Sequence, residues 1–147
     1  MYIASSVDNG ETFNEASKLG SGTWSLNTCP MDGGAMAREA SGKIATVWRR
    51  DKSVYLSIAG ERGERLLGFG EQPWIATTDD GPVVVWLKSK GGVAYLLQPG
   101  HTSPVELTSS AIDPILAAAP LGLGPVVAAW DVRDDQSYAV QLQILAP

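Results

Sequence analysis

Three tryptophans constrain this chain more than any other feature. Trp48, Trp86 and Trp130 stand 38 and 44 residues apart, and each sits in the same local pattern. A strand of small residues leads through a glycine-bearing turn into a strand ending in Trp. A polar turn then leads into another apolar strand. The segments GGAMAREASGKIATVWRRDKSVYLSIAG, PWIATTDDGPVVVWLKSKGGVAYLLQPG and ILAAAPLGLGPVVAAWDVRDDQSYAVQLQIL are three passes through that plan. Their β-branched and aromatic runs, bounded by Gly, Pro, Asp and Ser, are what strands and tight turns require. Helix is poorly supported, since 16 Gly and 9 Pro punctuate the 147 residues. The strongest helical candidate, 109–116, contains Pro114, and an interior proline removes a backbone donor and clashes with the preceding turn.

Repeats of about 40–45 residues built from four short strands have the size of one propeller blade. The reading is therefore an all-β chain of β-propeller blades, near 33–68, 73–108 and 115–145, with a hairpin within 1–28, in a single partial domain spanning 1–147. A fibronectin-like sandwich also uses many short strands, but it does not need three similar units. The innermost strands are expected at 33–39, 74–78 and 115–119, because Gly33, Gly34, Ala35, Ala37 and Ala117 to Ala119 suit a crowded centre. Second strands follow at 44–49, 83–87 and 125–130, third strands at 54–58, 93–97 and 138–144, and fourth strands at 65–67 and 105–107, with none left after Ile144. The three tryptophans are read as fillers between blades, and Tyr55, Tyr95 and Tyr138 as packing residues of the third strands.

Composition excludes several functions. Lys+Arg 11 against Asp+Glu 16 gives a net charge of -5, which argues against nucleic-acid binding, because phosphate contacts need clustered positive charge. The longest mostly apolar run, 115–130, is broken by Pro120 and Pro125, so no membrane span is expected. The opening MYIASSVDNG has no basic region and no useful apolar run, so no leader is expected, and the cellular location stays open. Cys29 is alone, which rules out an internal disulfide, and reads as a small buried hydrophobe. No metal or cofactor is expected, since Asp8, Asn9 and Glu11 supply too few oxygens for calcium.

The N-terminal stretch SSVDNGETF places Ser6, Asp8, Gly10, Thr12 and Phe13 in the spacing S-x-D-x-G-x-T-F. Asp8 can accept bonds from turn N–H groups, Gly10 can take a backbone shape barred to other residues, and the Ser6 and Thr12 hydroxyls can close the turn. Phe13 is expected to point inward. This is the Asp-box pattern. Together with CPMDGG (29–34), VWRR (47–50), GEQPW (70–74) and GPVVAAWD (124–131), it resembles the C-terminal half of the sialidase-like BNR/Asp-box repeat β-propeller family. In that family the box lies at a blade periphery, so it speaks for fold and not for catalysis.

The resemblance implies an exo-sialidase site: three arginines on the substrate carboxylate, a Tyr/Glu nucleophile pair and an Asp acid/base. The family's Arg-Ile/Leu-Pro motif is absent from this sequence, and its acid/base region belongs upstream of the Asp-box. The expectation is a non-catalytic sialidase-like module that self-assembles and takes a small anionic or carbohydrate ligand in its central channel. The alternative is an exo-sialidase-type glycoside hydrolase with its site assembled across a dimer. Arg38 and Glu39, on an inner strand, and Asp32, at a channel mouth, are the ligand-binding candidates. Arg38 and Glu39 could equally form a rim pair, and Asp32 could be a plain turn residue. Arg49, Arg50 and His101 are expected to face solvent.

Three units and a hairpin make about half of a closed ring of six or seven blades. Half a ring leaves apolar faces and sheet edges open. A homodimer completing the ring is expected, with the partner's N-terminal hairpin supplying the missing last strand. A fragment folding as a curved open sheet is the other reading.

Overall fold

Period-two alternation sorts the apolar residues of each repeat onto two faces of a sheet, and short polar turns force neighbouring strands to run antiparallel. In the computed structural model, residues 1–25, 33–119, 124–133 and 137–145 are described, and among them there are thirteen strands and no helix. Strands β1 (Tyr2–Ile3) and β2 (Ser17–Lys18) form a two-stranded hairpin. The first full sheet is a meander of β3 (Ala35–Arg38), β4 (Ile44–Arg50), β5 (Ser53–Ile58) and β6 (Arg65–Phe69). The second repeats it with β7 (Glu71–Thr78), β8 (Gly81–Leu87), β9 (Ala94–Leu97) and β10 (Val105–Thr108). A third sheet has three strands, β11 (Ile112–Ala118), β12 (Val126–Arg133) and β13 (Tyr138–Leu145).

The three sheets carry equivalent residues in equivalent registers. Trp48 faces Tyr55 across β4 and β5, Trp86 faces Tyr95 across β8 and β9, and Trp130 faces Gln141 across β12 and β13. The first two pairs bring their rings to 6.2 and 5.7 Å. One residue earlier in β4, β8 and β12, Val47 faces Leu56, Val85 faces Leu96 and Ala129 faces Leu142. Each tryptophan therefore points to one face of its sheet and the preceding Val or Ala to the other.

Those faces stack. Between the first and second sheets lie Val47, Val54 and Leu56, packed with Ile75, Val84, Trp86 and Leu97. Between the second and third lie Val83, Val85, Leu87 and Leu96, packed with Leu116, Val126, Ala128 and Trp130. The middle sheet is thus covered on both sides, which is why β8 reads as the continuous apolar run 83–87, every residue of it buried. Trp86 also fastens the first junction by donating its indole N–H to the Phe69 carbonyl at 3.2 Å. The chain passes beneath this ring at Gly70 (φ 151), where a Cβ would fall on the Leu87 carbonyl oxygen and the Trp86 indole.

The N-terminal hairpin segment lies on the outward face of the first sheet, where Trp48 is buried and Gly20 approaches its ring. Arg50 reaches back from β4 to Glu64 with two bonds of 2.7 Å, and Ser21 adds a third at 3.4 Å. The guanidinium sits 3.8 Å from the Tyr55 ring. Arg50 is therefore a packed structural ion-pair residue and not a solvent-facing one. Arg49 is likewise tied down, 3.3 Å from Glu71.

Three other expectations are corrected. Tyr138 is not equivalent to Tyr55 and Tyr95, because the β12–β13 register sets Gln141 opposite Trp130 and leaves Tyr138 exposed beside Arg133. Phe13 does not point inward but is 65% exposed. The inner strands β7 and β11 start earlier than expected, at Glu71 and Ile112, and each carries a register shift near its start.

Candidate functional site

The turn built on Ser6, Asp8, Gly10 and Thr12 folds as its chemistry requires. The Ser6 hydroxyl donates to Asp8 Oδ1 at 2.6 Å and accepts the Gly10 N–H at 2.8 Å. Asp8 also accepts the Thr12 N–H at 3.0 Å and the Thr12 hydroxyl at 2.5 Å. Gly10 takes φ 92 and Asn9 φ 58, the left-handed backbone that reverses the chain. The Ser6 hydroxyl, then Thr12, hold the Asp8 carboxyl at about 2, below its usual 3.8. Every Asp8 bond is internal to the turn, so this carboxylate works as a strut.

Of the ligand-binding candidates, Asp32 lies outside the described residues, as does Cys29. Arg38 ends β3 and Glu39 follows it, at the opposite end of that strand from Gly33 and Gly34. They do not pair with each other: the Glu39 carboxylate accepts the Ser41 hydroxyl at 3.0 Å, and the Arg38 side chain is exposed. The Arg38 carbonyl accepts the Thr77 hydroxyl at 2.9 Å, a bond that ties the ends of β3 and β7 together.

A concave site lies at the other end, where the first strands of the three sheets begin. A cleft of about 240 Å³ is lined by Gly33 and Gly34, by Gln72, Pro73 and Trp74, and by Asp113, Pro114 and Ile115. These are successive copies of one position in the repeat. Gln72 and Asp113 each precede a proline, each sits at a register shift, and each takes left-handed backbone, φ 50 and φ 47. Such a conformation is uncommon outside glycine and survives only where its surroundings impose it. Here the residues interlock, since the Gln72 amide donates to Asp113 Oδ1 at 2.6 Å. Trp74 anchors its indole N–H on the Leu116 carbonyl at 3.0 Å and leaves 43% of its surface open. The result is an aromatic surface beside an amide and a carboxylate, on a frame of paired strands.

The sequence reading missed these residues. The available signal was the recurrence of a polar residue before proline, Gln72-Pro73 and Asp113-Pro114, at the start of two repeat units.

The described arginines do not gather at this cleft. Arg49 and Arg50 are held by Glu71 and Glu64, and Arg65 donates to the carbonyls of His101 and Thr102 at 2.9 and 3.0 Å. Among the described residues no group of His, Cys, Asp and Glu could hold a metal ion. No protein-family model and no curated protein sequence matches this chain.

Proposed function

We propose that the chain is a non-catalytic, sialidase-like β-propeller module, its sheets acting as successive blades, and that it binds a small neutral carbohydrate where the inner strands begin. The observation that carries this reading is the convergence of Gln72, Trp74 and Asp113 on one cleft through two strained, interlocked strand starts. Small-ligand sites are concave, largely apolar and fitted with a few fixed polar groups. An open indole face offers an apolar platform, while the amide and carboxylate offer a donor and acceptors for hydroxyls. The Asp113 carboxylate repels an anion, so the neutral sugar is favoured over the acidic one. A cleft below the roughly 300–1,000 Å³ of drug-sized sites suits one sugar ring.

Isothermal titration against a panel of neutral monosaccharides tests this reading. At least one sugar is expected to bind the wild type and to lose about tenfold or more in affinity to Trp74→Ala, a loss of about 1.4 kcal/mol. Equal binding by the variant, or binding of acidic sugars alone, would overturn it. A fluorogenic sialoside is expected to be hydrolysed no faster than in buffer; turnover above that level would favour the hydrolase reading instead.

A further inference from the structure

The stack of sheets ends in two faces that the repeat itself defines. Leu142 of β13 occupies the position of Leu56 and Leu96, yet it is 70% exposed where they are 5% and 4% exposed. Val140 stands likewise in the place of Val54 and Ala94; it is 66% exposed and both counterparts are 0% exposed. Ile144 and Ile115 extend the same open surface. At the other end of the stack, Met36 of β3 matches Ile75 and Leu116; it is 62% exposed and they are 4% and 5% exposed. Beside Met36 the hairpin covers only part of the face and leaves a hollow of about 420 Å³, lined in part by Met1, Tyr2, Trp24 and Trp48.

At both internal junctions a Leu/Val face of one sheet is covered by the Trp face of the next. One chain therefore carries both halves of a third junction, uncovered, at opposite ends of its stack. It cannot bring them together itself, because each sheet is held between or beside its neighbours. We infer that the Leu142 face of one copy docks on the Met36 face of a second copy, and that the same contact made twice about a two-fold axis closes a dimer. Among the described residues the third sheet has three strands where the first two have four, and the N-terminal hairpin lies at the margin of the Met36 face. Contacts made twice lighten the demand on each: about 400 Å² per face gives the roughly 1,600 Å² total of a standard interface. Exposed apolar faces of this kind on a soluble chain mark association surfaces. The inference rests on the matched registers and the exposure of the two faces, so failure of sugar binding leaves it standing.

Light scattering on the eluting full chain at micromolar concentration tests it. The wild type is expected at twice 15.5 kDa, and Leu142→Arg and Met36→Arg each at 15.5 kDa. Both residues are open in the single copy, so near-ultraviolet dichroism is expected to stay native; Val140→Lys replaces Leu142→Arg if that variant misfolds. Val7→Arg, in the exposed Asp-box turn, is expected to leave the dimer intact. A wild-type monomer, an open series of larger species, or a dimer that survives Met36→Arg would overturn the inference.

Discussion

Replacing Trp86 by alanine would remove the side chain that joins the first two sheets. Trp86 is 1% exposed, tilts against Tyr95 at 5.7 Å and bonds the Phe69 carbonyl. A buried tryptophan removes on the order of 200 Å² from water, which at 25 cal/mol per Å² is about 5 kcal/mol. Measured losses for such truncations run about 3–5 kcal/mol, so about 4 kcal/mol is expected here. That is a large share of the roughly 5–15 kcal/mol that holds an ordinary domain together. At about 2–4 °C per kcal/mol, the melting temperature should fall by about 8–16 °C. Urea unfolding followed by circular dichroism reads the effect as a lower midpoint at unchanged slope. Trp74→Ala is the comparison, because that ring is 43% exposed and should cost under about 1.5 kcal/mol. If Trp86→Ala costs no more than Trp74→Ala, the claim that the repeated tryptophans bind sheet to sheet is wrong.

Further outcomes follow from single contacts. The Trp130 indole nitrogen is buried without a hydrogen-bond partner, whereas that of Trp86 is bonded, so Trp130→Phe should cost less than Trp86→Phe by about 1 kcal/mol in the same urea assay. Glu64→Gln should destabilise by about 2 kcal/mol at neutral pH, since the paired side chains are only 17% and 9% exposed. Arg50 holds the Glu64 carboxyl below the usual range, so this stability is present above the ordinary carboxylate value and fades as pH falls through the lowered one; the variant should lack that part of the acid loss in pH-dependent unfolding. Asp8 should titrate by carbon-13 NMR with a midpoint at about 2, and the support it gives the hairpin turn should be full above 3.8 and fade as pH falls towards 2; a midpoint near 3.8 would contradict the turn geometry.

The sheets were legible because their cause is local. The continuous apolar run 83–87 and the recurring Trp mark strands that neighbours must cover; Trp86 and Trp130 lie between sheets, and Trp48 lies beneath the N-terminal segment. The strand expected from 115 was legible, but its earlier start at Ile112 was not, because the left-handed turn at Asp113 before Pro114 is a strand irregularity that single-residue tendencies do not reveal. Tyr138 misled because a strand's register is set by its partners and not by its own residues. The turn at 6–12 was readable bond for bond, since all its partners lie within a few residues, but the exposure of Phe13 depends on what packs nearby. The cleft was hidden for a related reason: Gln72 and Asp113 lie 41 residues apart, and only the stacking of β7 on β11 brings them together.

Nitrogen-15 NMR of the tryptophan indoles during sugar titration tests the central claim most directly. The sequence has five tryptophans, so five indole signals are expected, and Trp74→Phe assigns one of them. The account predicts that a neutral sugar shifts the Trp74 signal, while the signals of the buried Trp48, Trp86 and Trp130 stay in place. A response confined to Trp24, or none from Trp74 with any neutral sugar, would contradict it.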